Sequence, residues 1–236
     1  MIIKEQKSRT GNMYQFVDDT WNPIVGKCLH ECAYCYVSKR CKNQKEIRLV
    51  SKTLYRDLGS GNTIFPVSGS DMFAENVPEL WILQVLNRCY ATNHNLPDHK
   101  NSFMFQTKNP KRVLDFINHP IFNDEKTKVC TTIETNRWYE EMGKAPKPEY
   151  RADAMAEIAS KGITTIVTAE PLMKFDHTEM LEIIKRCKPE QVNIGKNSNF
   201  KIKLPEPTAD EVKRLIDELE NFSTVVIKSN ALDWVE

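Results

Sequence analysis

Three cysteines lie within eight residues of one another, at Cys28, Cys32 and Cys35, in the segment KCLHECAYCY. Their spacing is C-x3-C-x2-C, Gly26 stands just before the first thiol, and no fourth cysteine follows at a similar spacing. Three thiolates on one short loop can converge on one metal centre. Iron–sulfur clusters are held by cysteine thiolates, four of them for a complete [4Fe–4S] cubane. A cubane held by three would leave one iron without a protein ligand and therefore open to a cofactor or a substrate.

This loop resembles the signature of the radical S-adenosylmethionine (radical SAM) enzymes, C-x3-C-x-aromatic-C, with Tyr34 at the aromatic position. The resemblance implies that Cys28, Cys32 and Cys35 hold a [4Fe–4S] cluster, and that S-adenosylmethionine (SAM) binds the open iron through its amino and carboxylate groups. Reductive cleavage of SAM would then supply a 5′-deoxyadenosyl radical that removes hydrogen from the substrate. Tyr34 is expected to contact the cofactors. A reductant such as flavodoxin or ferredoxin is the implied partner.

Other uses of these cysteines stay open. His30 lies inside the loop and could complete a Cys3His zinc site, since structural zinc takes four N or S ligands. Structural zinc motifs normally split their ligands into two pairs, and no second pair follows here. The thiols could also be buried residues of the core. The competing hypotheses are a zinc-bearing, non-catalytic module that binds nucleic acid or a partner, and a redox-sensing cluster that does not use SAM.

Length and charge narrow the class of protein. A chain of 236 residues can bury one sizeable core, and we expect a single domain over residues 1–236. The formal net charge is +1, so no global basic field indicates nucleic acid, although a local groove could still be basic. The first residues lack the apolar core of a signal peptide, and no run approaches the ~20 apolar residues of a membrane span.

The cysteine count indicates a cellular compartment. Seven cysteines in a chain without an export signal predict a reducing cytoplasm, where thiols bind metal or stay free. The remaining four are expected to be ordinary core or surface thiols. They are Cys41, Cys89, Cys130 and Cys187.

The rest of the chain alternates short apolar segments with segments of helical spacing. The predicted strands are residues 12–24, 63–68, 102–107, 129–133, 163–168, 191–194 and 224–227. The predicted helices are residues 36–43, 77–91, 111–118, 151–160, 178–187 and 208–221. Thr208 is the expected N-cap of the last helix, with Glu211 three residues on. This alternation predicts an α/β fold with a parallel sheet. Combined with the resemblance, it predicts the partial (β/α)6 TIM-type barrel of radical SAM enzymes, with ligands at the carboxyl ends of the strands.

Polar residues follow the second of these strands, in the segment Ser68-Gly69-Ser70-Asp71. Gly69 permits a close approach of backbone and ligand, and the hydroxyls and carboxylate could hold an ammonium group. Such a cluster is also common in ordinary turns. The resemblance assigns this segment to the amino group of SAM, although it differs from the Gly-Gly-Glu form common in the superfamily.

Four later strand ends supply further candidates. Lys108 is predicted to bind the carboxylate of SAM, with an exposed lysine as the alternative interpretation. Thr132 and Glu134 follow the fourth strand, and the resemblance implies a ribose contact for Glu134. Glu170 ends the fifth strand and must be either paired or functional, because an unpaired buried charge is costly. Gly195 ends the sixth strand, where the resemblance places backbone against adenine.

A narrower resemblance covers about residues 14–230. The segments that carry it are TWNP, the cysteine loop, SGSDMF with VPELW, QTKNPKRV, TTIETN, TAEPLM and NIGKNS. In this order they resemble a phage-associated radical-SAM-like family known by its three-cysteine motif, which has no settled substrate. Spore photoproduct lyase is a more distant similarity.

The substrate has to be inferred from size and charge. A chain without an added substrate-binding domain would leave the mouth of the barrel open, which suits a large substrate. We expect a nucleobase or modified nucleotide in DNA or RNA, which is modified or rearranged. Basic residues near the mouth are expected to contact phosphates. They are Lys27, Lys39, Arg40, Lys42, Lys108, Lys111 and Arg112.

Overall fold

A computed structural model describes residues 1–6, 13–37, 44–94 and 100–236. Its strands are β1 Ile2–Lys4, β2 Asp19–Trp21, β3 Ile24–Val25, β4 Arg48–Leu49, β5 Thr63–Pro66, β6 Ser102–Thr107, β7 Thr127–Thr132, β8 Thr164–Ala169, β9 Gln191–Ile194 and β10 Thr224–Ile227. Its α-helices are α1 Ser51–Leu54, α2 Glu79–His94, α3 Pro148–Ser160, α4 His177–Arg186 and α5 Ala209–Leu219. Short 3₁₀ helices occupy Pro110–Phe116, Pro120–Asn123, Glu140–Met142 and Ser229–Trp234.

Eight of the strands form one sheet, in the order β1-β10-β9-β8-β7-β6-β5-β2. Every neighbouring pair in this sheet is parallel, whereas β3 and β4 form a separate antiparallel pair. The predicted α/β fold with a parallel sheet is therefore confirmed. In the described part of the chain no ladder joins β1 to β2, so the sheet has two edges. All eight carboxyl ends meet along one rim, where parallel sheets place their ligands.

The two faces of the sheet have different cores. Val129, Val167 and Val192 belong to the large cluster that also contains the buried residues of α3, α4 and α5. The alternate strand residues point to the opposite face, here called the inner face, because successive side chains of a strand alternate. A smaller cluster lies there, made of Tyr14, Phe65, Met104, Cys130 and Ile166.

Residues 13–18 connect the two edges of the sheet. Gln15 donates a backbone hydrogen bond to Glu5 Oε1 (3.1 Å), just beyond β1. Asp18 donates one to the Thr63 carbonyl oxygen (2.9 Å), at the start of β5. Between them, the Tyr14 hydroxyl donates to Thr168 Oγ1 (2.9 Å) on the inner face. This segment therefore covers the inner face where the strands leave a gap.

Most predicted elements agree with the structure to within three residues. The exceptions are the strand predicted over residues 12–24, where the described part forms only the short strands β2 and β3, and the helix predicted over residues 111–118, which is the 3₁₀ helix Pro110–Phe116. The strands at 102–107, 191–194 and 224–227 match β6, β9 and β10 at both ends. The N-cap is also confirmed, since the Thr208 hydroxyl accepts from the Glu211 N–H (3.3 Å) and Glu211 Oε2 accepts from the Thr208 N–H (2.8 Å). The predicted helix over residues 36–43 falls largely outside the described residues.

Among the described residues, no helix combines the length and the apolar character that crossing a membrane requires.

Candidate functional site

The cysteine loop begins directly after β3 and is bound to the connection between β7 and α3. The Ala33 N–H donates to the Glu141 carbonyl oxygen (2.9 Å), and the Lys144 N–H donates to the His30 carbonyl oxygen (2.7 Å). The Cys32 thiol donates to the Met142 carbonyl oxygen (3.3 Å). These bonds hold the loop at the carboxyl rim of the sheet, close to the end of β7.

Two glycines permit this close docking. Gly26 has φ +130° and Gly143 has φ +64°, both in the left-handed region that favours glycine. A Cβ on Gly26 would lie 2.5 Å from the Glu46 carbonyl oxygen, and one on Gly143 would overlap the His30 carbonyl oxygen. Each neighbour is backbone, which cannot swing away as a long side chain can. The position of the cysteine loop therefore depends on both glycines.

Gly143→Ala is expected to destabilise the protein by about 2–4 kcal/mol, because it adds an overlap with the His30 carbonyl to an unfavourable φ. Gly162→Ala is the matched control, since Gly162 has φ +82° with nothing within 4 Å of its Cβ position. Backbone strain alone should cost that variant about 1 kcal/mol. Urea unfolding measures both variants, and equal losses would show that the loops do not need this contact.

The three thiols differ in exposure, and the pKa values of Cys28 and Cys32 are affected by the neighbouring thiols. Cys32 is buried, whereas Cys28 and Cys35 are half-buried. Burial raises the pKa of the Cys28 thiol to about 12, helped by the charge of Asp71 and by Cys32 and Cys35. Burial likewise raises the pKa of Cys32, against an opposing effect of Lys108. A bound metal centre reverses this balance, because a coordinating thiol is deprotonated outright.

His30, considered above as a fourth ligand for zinc, has a carboxylate partner. Within the described ranges, no three His, Cys, Asp or Glu side chains converge closely enough to hold one metal ion. His30, the fourth ligand considered for zinc, places its Nε2 2.8 Å from Asp71 Oδ2, and both side chains are buried. In a cubane, three thiolates of one loop would each bind a different iron.

Asp71 links the cysteine loop to the end of β6. Besides His30, its carboxylate accepts from the Thr107 hydroxyl (2.8 Å) and from the Lys108 N–H (2.8 Å). Burial by itself would raise the pKa of Asp71, but hydrogen bonding and the charge of His30, followed by the Lys108 N–H and Thr107, outweigh it and lower the pKa. Asp71 is thus a positioning residue, and its predicted contact with SAM stays a prediction.

The other members of the predicted Ser-Gly-Ser-Asp segment lie beside Asn22, which follows β2. Asn22 Oδ1 accepts from the Gly69 N–H (2.7 Å), and Asn22 Nδ2 donates to Ser68 Oγ (3.2 Å). Ser70 Oγ is buried and has no hydrogen-bond partner among the described residues. Buried hydroxyls normally have a partner, so Ser70 is the member of the segment best placed to take one from a bound molecule.

Glu134 is the centre of a buried ionic group at the rim. Its Oε2 accepts from Arg151 Nη1 (2.8 Å), and its Oε1 accepts from the Tyr34 hydroxyl (2.5 Å) and from Lys108 Nζ. Arg151 also donates to the Thr132 carbonyl oxygen (2.5 Å). Burial would raise the pKa of Glu134, but the charges of Arg151 and Lys108 lower it to about 2.

This group brings four predicted residues together: Tyr34, Lys108, Thr132 and Glu134. Glu134 is wholly buried beneath its partners, so Lys108, with 17% of its side chain exposed, is the charge that a bound molecule would meet first. Arg151 was missed by sequence reasoning. It lies within the amphipathic helix α3, where an arginine is usually on the solvent face, and no local pattern signals its partner.

Glu170 and Gly195 lie on neighbouring strands at the same rim. Glu170 Oε2 is 4.0 Å from the Nζ of Lys228, which also lies 3.6 Å from Glu5 Oε2. Burial raises the pKa of Glu170 to about 7, with Lys228 acting against the rise and Glu5 adding to it. Glu170 is therefore paired with Lys228, which follows another strand of the same sheet. This is the first of the two interpretations that the sequence left open, a paired carboxylate or a functional one.

The basic residues expected near the mouth have mixed roles. Those outside the described residues are Lys39, Arg40 and Lys42. Lys108 is bonded to a buried carboxylate, and Arg112 donates to the Val77 carbonyl oxygen (2.6 Å). Lys27 and Lys111 are exposed. Among the described residues of this set, only Lys27 and Lys111 therefore lie on the surface.

The cysteines outside the loop behave as predicted where they are described. Cys89, Cys130 and Cys187 are buried free thiols. Cys41 lies outside the described residues.

No protein-family model matches this chain, and no curated protein matches it. A family can therefore be argued only from the residues and their geometry.

Proposed function

We propose that this protein is a radical SAM enzyme, related to the phage-associated three-cysteine-motif family, whose sheet is the partial (β/α)6 barrel of that superfamily. The observation that carries the proposal is the loop of Cys28, Cys32 and Cys35, bound at the carboxyl rim of a parallel sheet beside a buried ionic group. Parallel sheets carry their chemistry at this rim. The loop alone would also serve a structural metal site, but its setting among polar strand ends favours catalysis.

A [4Fe–4S] cluster on the three cysteines, with SAM bound, would supply a 5′-deoxyadenosyl radical that removes hydrogen from the substrate. The chain's own residues hold this chemistry in place. Asp71 and Gly143 fix the cysteine loop, and Lys108 offers a cation to a carboxylate. Tyr34, buried against Glu134, excludes water from the side of the loop.

The substrate we propose is a nucleobase or modified nucleotide in DNA or RNA. The site lies at an open rim of the sheet, which admits a group carried by a large molecule. Lys111 is an exposed cation that could contact a phosphate, and Lys27, exposed but paired with Glu31, could do so by exchanging that partner.

The test is anaerobic reconstitution with iron and sulfide, followed by SAM and dithionite and an assay for 5′-deoxyadenosine. We expect a brown protein with about four irons per chain that forms 5′-deoxyadenosine. A colourless protein with one tightly bound zinc, or a cluster that never cleaves SAM, would overturn the proposal in favour of a structural or redox-sensing site.

Nucleic-acid binding should weaken with salt. Two phosphate contacts on a single strand give a slope of about −1.4 in log affinity against log salt, so affinity should fall about sevenfold between 50 and 200 mM salt. Fluorescence anisotropy with a labelled single-stranded oligonucleotide measures this. Lys27→Ala and Lys111→Ala should each reduce the slope, whereas Lys213→Ala on the exposed side of α5 should not. Affinity independent of salt would contradict the phosphate contacts.

A further inference from the structure

A second group of charged side chains lies on the inner face, apart from Glu134. Lys228 follows β10 and is fully buried, with its Nζ 3.6 Å from Glu5 Oε2 and 4.0 Å from Glu170 Oε2. The same Nζ stands over the Tyr14 ring, 4.2 Å from its centroid. Burying ionisable side chains together costs desolvation free energy that their mutual attraction does not always recover. Of the three, Glu170 is the one that solvent reaches, with 16% of its side chain exposed.

Gly195 makes room for this group. A Cβ at Gly195 would lie 2.9 Å from Glu170 Cγ and 3.1 Å from Lys228 Cγ. Any other residue would push the glutamate and the lysine away from the end of β9. Glu170 and Lys228 can therefore occupy these positions at the rim because residue 195 has no side chain.

Asn193, two residues earlier on β9, is a fully buried amide whose donor is unused. Its Oδ1 accepts from Gln191 Nε2 (2.7 Å), but its Nδ2 has no hydrogen-bond partner in the described part of the chain. Asn193 is in register with Thr168, whose Oγ1 accepts from Tyr14 on the inner face. Its amide thus shares that face with Glu170 and Lys228. A buried amide donor without a partner destabilises the folded protein, so stability alone does not explain its presence.

An unused acceptor lies on the same face. Gln106 on β6 is hydrogen-bonded to Tyr14, yet its Oε1 is buried without a partner among the described residues. The inner face therefore presents one unused amide donor, one unused amide acceptor and a carboxyl group that solvent reaches.

We propose that Asn193, Gln106 and Glu170 recognise the hydrogen-bonding edge of a nucleobase. A base edge offers a carbonyl or ring nitrogen to the Asn193 amide and an N–H to the Gln106 or Glu170 oxygens. A phosphate does not suit this group, because its cation, Lys228, already lies between two carboxylates. The base would enter alone, flipped out of its strand, and would displace the buried Tyr14 side chain, which contacts Thr168 and Gln106, while the sugar–phosphate backbone stays at the rim. This inference rests on the proposed function, since it names the substrate group that the site admits.

The test is equilibrium dialysis of the purified full chain with adenine, cytosine, guanine, thymine and uracil, one at a time, and with inorganic phosphate. We expect at least one base other than adenine to bind, since adenine is also part of SAM, and Asn193→Leu to weaken that binding at least tenfold. The melting temperature of Asn193→Leu should equal or exceed that of the wild type, because the substitution removes an unpaired donor.

Asn101→Leu is the matched control. Asn101 is fully buried, but its Oδ1 accepts from the Asn62 N–H (2.9 Å) and its Nδ2 donates to the Gly59 carbonyl oxygen (2.9 Å). This variant should melt lower while binding the base as the wild type does. Wild-type binding by Asn193→Leu, a fall in its melting temperature equal to that of Asn101→Leu, or binding of phosphate and no base would overturn the inference.

The assay for 5′-deoxyadenosine separates this inference from the proposed function. If the protein forms 5′-deoxyadenosine but binds no base, only the proposed recognition site is wrong. If the protein binds a base through Asn193 but never forms 5′-deoxyadenosine, the recognition site is supported and the radical SAM proposal is wrong.

Discussion

Cys28→Ala, Cys32→Ala and Cys35→Ala should each lower the iron content from about four per chain to less than one after reconstitution. Formation of 5′-deoxyadenosine should fall more than about a hundredfold in all three, because a cubane with two protein ligands is neither retained nor oriented. Iron analysis, the absorbance of the cluster and product chromatography measure the loss. The three variants should be equivalent, since each removes one of three similar ligands.

Cys89→Ala provides the comparison for these variants. Cys89 is a fully buried thiol in α2 and belongs to the large core cluster, so its loss should cost about 1 kcal/mol of stability and no iron. A loop variant that keeps its iron and its activity would remove that cysteine from the cluster. Loss of iron in Cys89→Ala as well would mean that the protein retains iron non-specifically.

Glu134→Gln should destabilise the protein by about 3 kcal/mol at pH 7. The substitution keeps the size of the side chain but leaves the fully buried Arg151 guanidinium without its counter-charge, 2.8 Å away. Removing one partner of a buried pair typically costs roughly 3–5 kcal/mol. Urea unfolding measures the loss. Glu211→Gln, which breaks an ion pair with Lys174 that is partly exposed on both sides, should cost less than about 1 kcal/mol.

The cost of Glu134→Gln should also depend on pH. The pKa of Glu134 is lowered from 4.5 to about 2 in the folded protein, so the carboxylate binds fewer protons folded than unfolded. Its contribution is fully present above the unfolded pKa and is lost as the pH falls through the folded pKa. The difference in unfolding free energy between wild type and variant should therefore shrink between about pH 5 and pH 2. A difference that stays constant over this range would contradict the assigned charge pair.

Local patterns predicted the elements and the cysteine loop, whereas long-range pairing did not follow from the sequence. The strands β6, β9 and β10 are short β-branched or aromatic runs bounded by breakers, which is a local signal. Strand β1 was missed because three residues carry little pattern, and only pairing with β10 makes them a strand.

The candidate site shows the same division. The spacing of the three cysteines is local and could be read directly. The partners of Glu134 and Asp71 could not, because Arg151 is 17 positions away on a helix and His30 is 41 positions away on a loop. The sequence predicted that Glu170 needs a partner, since a buried charge is costly, but not that Lys228 supplies it.

The pairing of β1 with β10 has a consequence for biosynthesis. Among the described residues β1 pairs only with β10, and the Ser229 N–H donates to Glu5 Oε2 across 224 positions of sequence. At ~5–20 residues per second, β1 would wait about 10–45 s for its partner. Until then β1 and one edge of β9 lack their backbone partner, a period in which a nascent chain is prone to aggregate. The sheet is completed only when β10 has been synthesised.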